Sequence, residues 1–385
     1  AGEGDDVGRI LPAETHTAIK GTLRYRMRIL KQLTRKKNAF FRDIKFNLIN
    51  FRYRNKAERQ PFNPAQVKRI LLLRLDDKVG DMVVTTGCAR LLAEHGYKVS
   101  VLTGPVCMQI LAGSIFLENV YLYKPRMSLA ALRALNFDAV IDFDDVKTYE
   151  RFKFLSDLRA PCVIGFNKEK YKLYDQSITF YDSKSHISAR YKQVVKLFGV
   201  RDEHYHYHVP GDIRERQRVE KLLATESDRQ LCVAINPFTA STDKDFCRHQ
   251  VAALIERLRQ LPYKVSVVMV GRSEKIRQLG LDMALYLADS NINSAVEVIR
   301  CCDLVITADT SIVHIARVFD KPMVAVYNKR KLKDTGLPGY TIWAPGYAKA
   351  RQIVCEEENV ADVPIDAIWP MIQEQADSLV ATRLR

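Results

Sequence analysis

The sequence predicts an α/β protein of two doubly wound, Rossmann-like domains preceded by a basic helical extension. Three observations lead there. The chain has 385 residues, more than one hydrophobic core usually organises. Two successive series of short apolar runs are separated by helical stretches. Finally, positive charge is concentrated near the N-terminal end.

Strands that alternate with helices build a parallel sheet covered on both faces, so each strand reads as a continuous apolar run. In the first series, residues 69–75, 98–103, 119–123, 138–143 and 162–166 are predicted strands, with helices such as 82–95 between them. In the second, the strands are 231–236, 265–271, 304–308 and 323–327. Pro210 and Gly211 interrupt the pattern before a charged helix. The expected boundaries are therefore an extension over 1–66, a first domain over 67–211 and a second over 212–385, with the last helix returning to the first domain.

Residues 1–19 read as a loose tail with no assigned role. Leu23, Met27 and Leu30, then Phe41, Ile44, Leu48 and Phe51, keep helical three-and-four spacing. Between Lys20 and Arg59 there are fourteen Lys or Arg against Asp43 and Glu58, which accounts for +12 of the formal charge of +15. A composition 47% hydrophobic and 27% charged excludes the disordered and collagenous classes. The cysteines, Cys88, Cys107, Cys162, Cys232, Cys247, Cys301, Cys302 and Cys355, contain no C-x-x-C pair and read as reduced, mostly buried thiols. No run approaches the roughly 20 apolar residues of a spanning helix, and no signal-peptide core is present, so a cytoplasmic location is expected.

In open α/β sheets a ligand sits beyond the carboxyl ends of the strands. The segments after Leu75, Asn236, Gly271 and Ala308 are therefore the ones to search. The first contains Lys78, Gly80, which lets a backbone turn tightly near a ligand, and Asp81 at a helix start. An Asp there is either an N-cap or a proton acceptor. The second, from Asn236 to Lys244, is rich in hydroxyls and is either a diphosphate cradle or a plain turn. The third carries Glu274. The fourth, Asp309-Thr310-Ser311-Ile312-Val313-His314, joins a buried strand to a helix whose first amides favour an anion, or simply a cap.

In order and spacing, Gly80-Asp81, the Thr-rich loop with Lys244, and Asp309-Thr310-x-x-x-His314 before Lys321-Pro322-Met323 resemble glycosyltransferase family 9, the ADP-heptose:lipopolysaccharide heptosyltransferases. The resemblance covers roughly residues 68–372. It implies a GT-B architecture, with the two domains facing across a cleft, and inverting transfer of heptose from ADP-heptose to a lipopolysaccharide inner-core acceptor. It makes Asp81 the general base and places Thr239 and Lys244 at donor phosphates, Glu274 near a ribose-binding acid, and Asp309, Thr310, Ser311 and Ile312 at the donor. Lys78 and Gly80 support the acceptor loop, and His314 matches the family histidine, with a structural role as one reading. The chain departs from the pattern at Ser311, at Asp76-Asp77-Lys78, at Ala240 and at Phe246.

The implied chemistry needs a base for the acceptor proton and positive charge for the departing diphosphate. A second carboxylic acid is unnecessary, because the diphosphate already leaves well. No cofactor and no tightly bound metal are expected. A UDP-sugar donor is the alternative, since these loops do not distinguish adenine from uracil. His204, His206 and His208 alternate with Tyr205 and Tyr207, but without accompanying Cys or carboxylates they read as an edge strand rather than a metal site.

Three occupants suit the basic segment 20–59: solvent, anionic lipid or nucleic acid. The lipid-anchored acceptor of the family favours an anionic membrane surface, with Phe40, Phe41, Phe46 and Phe51 at the headgroup boundary and no nucleic acid. The expected location is peripheral, at the inner face of the cytoplasmic membrane of a Gram-negative bacterium.

Overall fold

The computed structural model describes residues 31, 34–35, 37–53, 61–332 and 335–383. The expected tail over 1–19 and the helical spacing from Leu23 to Leu30 lie outside the described residues.

The described residues form two all-parallel sheets. Arg69–Arg74 (β1), Lys98–Thr103 (β2), Asn119–Leu122 (β3), Ala139–Asp142 (β4), Cys162–Phe166 (β5) and Gln176–Ile178 (β6) make the first, in the order β3-β2-β1-β4-β5-β6. Leu231–Asn236 (β7), Val265–Met269 (β8), Leu304–Ala308 (β9), Met323–Tyr327 (β10) and Ala350–Val354 (β11) make the second, in the order β11-β10-β9-β7-β8. Both are doubly wound orders, and each reverses direction once, between β1 and β4 and between β7 and β9. Connections diverge at those points and open a crevice at the strand ends.

The helices are α1 (37–53), Val79–Glu94 (α2), Pro105–Leu111 (α3), Ala130–Ala134 (α4), Tyr149–Leu158 (α5), Ile187–Leu197 (α6), Ile213–Leu223 (α7), Arg248–Arg259 (α8), Ser273–Gln278 (α9), Ile292–Cys301 (α10), Ser311–Val318 (α11), Gly339–Ile342 (α12) and Ile365–Arg383 (α13). Every residue of β7, β9 and β10 is buried, as covering on both faces demands. α2 packs on α6 and on α11, so one continuous apolar core runs from the first sheet to the inner layer of the second. A second core lies on the other face of the second sheet, under α8 and α13.

Three expectations change. The last helix does not return to the first domain: Ile368, Ile372 and Ala376 of α13 are buried in the core of the second sheet. The alternating His-Tyr segment is not a strand; Tyr205 and Tyr207 are buried while His204 and His206 are exposed. The short strands β6 and β11 have no counterpart among the predicted runs.

The described residues of α1 cluster with residues 146–159 and 171–173 as a separate compact unit. Within it, the Phe46 ring of α1 packs 4.8 Å from Phe152 and 5.6 Å from Tyr171, and Tyr53 bonds Ser156 through their hydroxyls. Phe46 therefore faces protein rather than a headgroup boundary. Among the described residues, no helix is long and apolar enough to cross a membrane.

Candidate active site

The reversal point of the first sheet places the loops after β1 and β4 side by side. Leu73 pairs with Asp142, so the next residue of β1, Arg74, emerges beside Phe143 and Asp144. Arg74 is buried, and its Nη2 forms an ion pair with Asp81 Oδ1 that is not aligned as a hydrogen bond. Its Nη1 donates to Asp144 Oδ1 at 3.3 Å, and its guanidinium lies 5.8 Å from the Phe143 ring and 5.7 Å from the Tyr191 ring. Tyr191 donates its hydroxyl to Asp81 Oδ1 at 3.3 Å. Both partners of Asp81 thus engage one carboxylate oxygen, Oδ1.

Asp81 lies in the first turn of α2 but does not cap it. The N-cap position is Lys78, with no side-chain cap bond. The capping work in this loop belongs to Asp77, which accepts from the amides of Val106 and Cys107 at the start of α3. Asp77 also takes a left-handed backbone conformation, φ 53°, so the tight turn of this loop falls on it rather than on Gly80. Gly80 instead marks a close approach: a Cβ there would sit 3.5 Å from His314 Cδ2 and 3.7 Å from Ser311 Cα. Lys78 is exposed and pairs with Asp76 at 3.6 Å. Burial pushes the Asp76 carboxyl above its ordinary value, against the pull of Arg74.

The second sheet repeats this arrangement at its own reversal point. Asn236 pairs with Thr307, and its side-chain amide donates to Thr307 Oγ1 at 3.0 Å and Thr310 Oγ1 at 3.1 Å. Thr310 caps α11 by accepting from the Ile312 amide at 3.0 Å, which takes up one of the amides assigned to an anion. Lys244 Nζ donates to Asp309 Oδ2 at 2.5 Å across the crevice. Burial raises the Asp309 carboxyl while Lys244 pulls it back.

Thr239 shapes its own loop: its hydroxyl donates to the Ser241 carbonyl at 2.6 Å and its amide to Asp245 at 2.6 Å. Glu274 is exposed in the first turn of α9 and, among the described residues, makes no hydrogen bond or ion pair with the other candidates. The loops after β7 and β8 nevertheless meet, because Gly271, with φ 143°, leaves only 3.2 Å between a would-be Cβ and the Phe238 ring.

His314 is buried on α11 among His186, Tyr207 and Trp343. Burial, then His186 and Arg317, lowers its pKa to about 3. His186 accepts at Nδ1 from the Ser188 amide and therefore donates from Nε2 to the Ala344 carbonyl at 2.9 Å. Its pKa falls to about 4, first through burial and then through Arg317. Burial thus holds both imidazoles neutral. Among the described residues, no cluster of three or more His, Cys, Asp or Glu forms a metal site.

The structure thus unites Asp81, Gly80, Ser311 and His314 where α2 meets α11, and Lys244, Asp309 and Thr310 across the second crevice. Arg74, Tyr191, Asp144 and Asn236 are additions to the predicted set. Arg74 carried a signal in the sequence, a cation ending the apolar run Ile70-Leu71-Leu72-Leu73 of a doubly covered strand. Tyr191, more than a hundred residues away on α6, carried none.

Comparison with known proteins adds three findings. The family model described as "Glycosyltransferase family 9 (heptosyltransferase)" matches residues 126–364. A protein of Escherichia coli (strain K12) named "Putative lipopolysaccharide heptosyltransferase 4" is 26% identical over 352 residues, covering 87% of this chain and 94% of its own. Among solved structures, a family 9 glycosyl transferase from Veillonella parvula DSM 2008 superimposes with a TM-score of 0.68 at 15% identity, over 84% of this chain and 100% of its own. The Escherichia coli ADP-heptose lipopolysaccharide heptosyltransferase II gives 0.65 at 17%, over 83% and 100%.

Proposed function

The chain belongs to glycosyltransferase family 9, and from that premise we propose that it transfers a heptose from ADP-heptose to a hydroxyl of a lipopolysaccharide inner-core acceptor, with inversion. As a member it is a glycosyltransferase of GT-B architecture, of heptosyltransferase kind. The observation that carries the finer reading is the approach of α2 to α11, which brings the Gly80-Asp81 turn against Ser311, at the start of the helix that follows the Lys244–Asp309 pair. In this reading Asp81, from one sheet, serves as the proton acceptor and the start of α11, from the other, as the anion site for the same pair of substrates.

In this mechanism the acceptor hydroxyl lies against Asp81. Arg74 and Tyr191 fix Oδ1, and Oδ2 takes the proton as the oxygen attacks the anomeric carbon. The bond to the diphosphate breaks on the opposite face, so the anomeric configuration inverts. Lys244 turns from Asp309 toward the leaving diphosphate, and the start of α11 receives its charge through the Ser311 amide and the helix dipole. Structures of an Escherichia coli heptosyltransferase with ADP and with ADP-2-deoxy-2-fluoro heptose support this donor, and the similarity to a putative lipopolysaccharide heptosyltransferase supports the acceptor. A lipid-anchored acceptor in turn calls for action at a membrane surface. No metal or cofactor takes part.

The test is ADP release from ADP-heptose in the presence of a Kdo-containing lipid acceptor, comparing the parent chain with Asp81→Asn. Turnover by the parent and its near-complete loss in the variant are expected. Undiminished turnover by Asp81→Asn would remove the base, and turnover only with UDP-sugars would change the donor.

A further inference from the structure

We propose that the outward face of α1 is a lipid-docking surface that sets Phe40, Phe41, Ile44 and Leu48 into the headgroup boundary of an anionic bilayer. The choice of a lipid surface rests on the reading of a lipid-anchored acceptor; the face itself is read from the helix.

α1 is apolar on two opposite sides. At about 100° per residue, Phe46, Ile49 and Tyr53 share one side. That side is occupied: Phe46 packs on Phe152 and Tyr171, Ile49 is buried and Tyr53 bonds Ser156. The same rotation puts Phe40, Phe41, Ile44 and Leu48 on the other side, where they are 64%, 49%, 39% and 64% exposed. The expected set of boundary aromatics is thereby corrected: Phe46 leaves it, Phe40, Phe41 and Phe51, the last 57% exposed and in the same stripe, stay, and two aliphatic residues join.

The charges select the occupant. Lys37 falls within the exposed stripe and Lys45 and Arg52 along one edge, all exposed, while Asp43 is the single acid among residues 37–53. A second copy docked on this face would bring like cations together. A nucleic acid would satisfy the cations but leave Ile44 and Leu48 in water, since aliphatic side chains offer no ring for a base to stack on. An anionic bilayer satisfies both, with acyl chains for the stripe and headgroup phosphates for the long basic side chains.

The test is co-sedimentation of the full chain with unilamellar vesicles of phosphatidylcholine, with and without phosphatidylglycerol. The comparison uses Phe41→Ser/Leu48→Ser and Lys45→Gln/Arg52→Gln, all at exposed positions, with thermal melts confirming that each variant folds. The apolar double variant is expected to lose at least about tenfold in partitioning, because insertion strength follows buried apolar area. The charge variant is expected to lose its preference for phosphatidylglycerol. Parent-like partitioning of the apolar variant overturns the proposal. So does a parent that binds neither vesicle, including one that self-associates through this face or binds RNA instead.

ADP release with a delipidated, soluble acceptor separates this proposal from the transfer reading, since it needs no vesicle and should be unchanged in the apolar variant. A parent chain that releases ADP but binds neither vesicle removes the docking face alone. Vesicle binding without any ADP release supports the face and removes the proposed transfer.

Discussion

Around Asp81, a buried guanidinium faces more carboxylate than it can neutralise. Arg74 pairs with Asp81 and Asp144 and draws on Asp76 as well, and a buried cation held so firmly fixes the position of what it binds. Replacing Asp81 by Asn keeps the shape and the Tyr191 contact while removing the proton acceptor. The expected result is a fall in kcat of about 10²- to 10⁴-fold, the usual worth of a positioned base, with an unchanged fold by circular dichroism. Lys244 offers a second separation of roles. Lys244→Met should raise the KM for the donor by about 10- to 100-fold through the lost charge-assisted contact, and lower the melting temperature because Asp309 is left buried without its cation. Lys244→Met/Asp309→Asn should recover the melting temperature but not the donor KM. Recovery of both would show that the pair is structural only.

At the level of elements, α2 links the two sheets, and its glycines tell two different stories. A Cβ on Gly87 would lie 2.4 Å from the Tyr205 ring, whose hydroxyl donates to the Val84 carbonyl at 2.8 Å. Gly87→Ala therefore forces a tightly seated ring to move, and chemical denaturation should show a loss of about 1–3 kcal/mol. A Cβ on Gly80 meets its neighbours at ordinary distances, so Gly80→Ala should stay within about 0.5 kcal/mol of the parent. Equal losses at the two sites would mean that α2 does not sit on Tyr205 and α11 as described. The legibility of the sequence follows the same physics. The central strands could be read because covering on both faces makes them unbroken apolar runs, as in Leu231–Asn236 and Leu304–Ala308. β6 and β11 escaped because one has three half-buried residues and the other carries Arg351 and Gln352, and neither shows that signature. The His204–His208 alternation imitates a strand, but Tyr205 is buried against α2 and Tyr207 against His314 and Arg317 of α11 rather than by sheet pairing. In the candidate site, residues adjacent to strand ends were legible, whereas Tyr191 reaches Asp81 only through the packing of α6 on α2.

Across the whole molecule, two imidazoles that are neutral in the folded state lie where the two sheets are joined. His186 bonds the Ala344 carbonyl, while His314 is buried where α11 meets α2. Folded pKa values of about 4 and about 3, against an ordinary value of 6.5, mean that the unfolded chain takes up these protons first. As pH falls below about 6.5 the unfolded state therefore gains, and the stability these groups contribute is complete above 6.5 and lost progressively toward 4 and below. The raised carboxyls of Asp76 and Asp309 act in the opposite sense, so the slope of the parent alone is a mixture and only a difference between variants isolates the histidines. His186→Gln can still donate to Ala344 but cannot be protonated. Urea unfolding of this variant between pH 6.5 and 4 should show a shallower loss of stability than the parent, by up to about 1.4 kcal/mol per pH unit, one proton's worth. Identical slopes would mean that His186 exchanges protons freely in the folded chain, and its bond to the Ala344 carbonyl would then add nothing to the packing of α2 on α11 that joins the sheets.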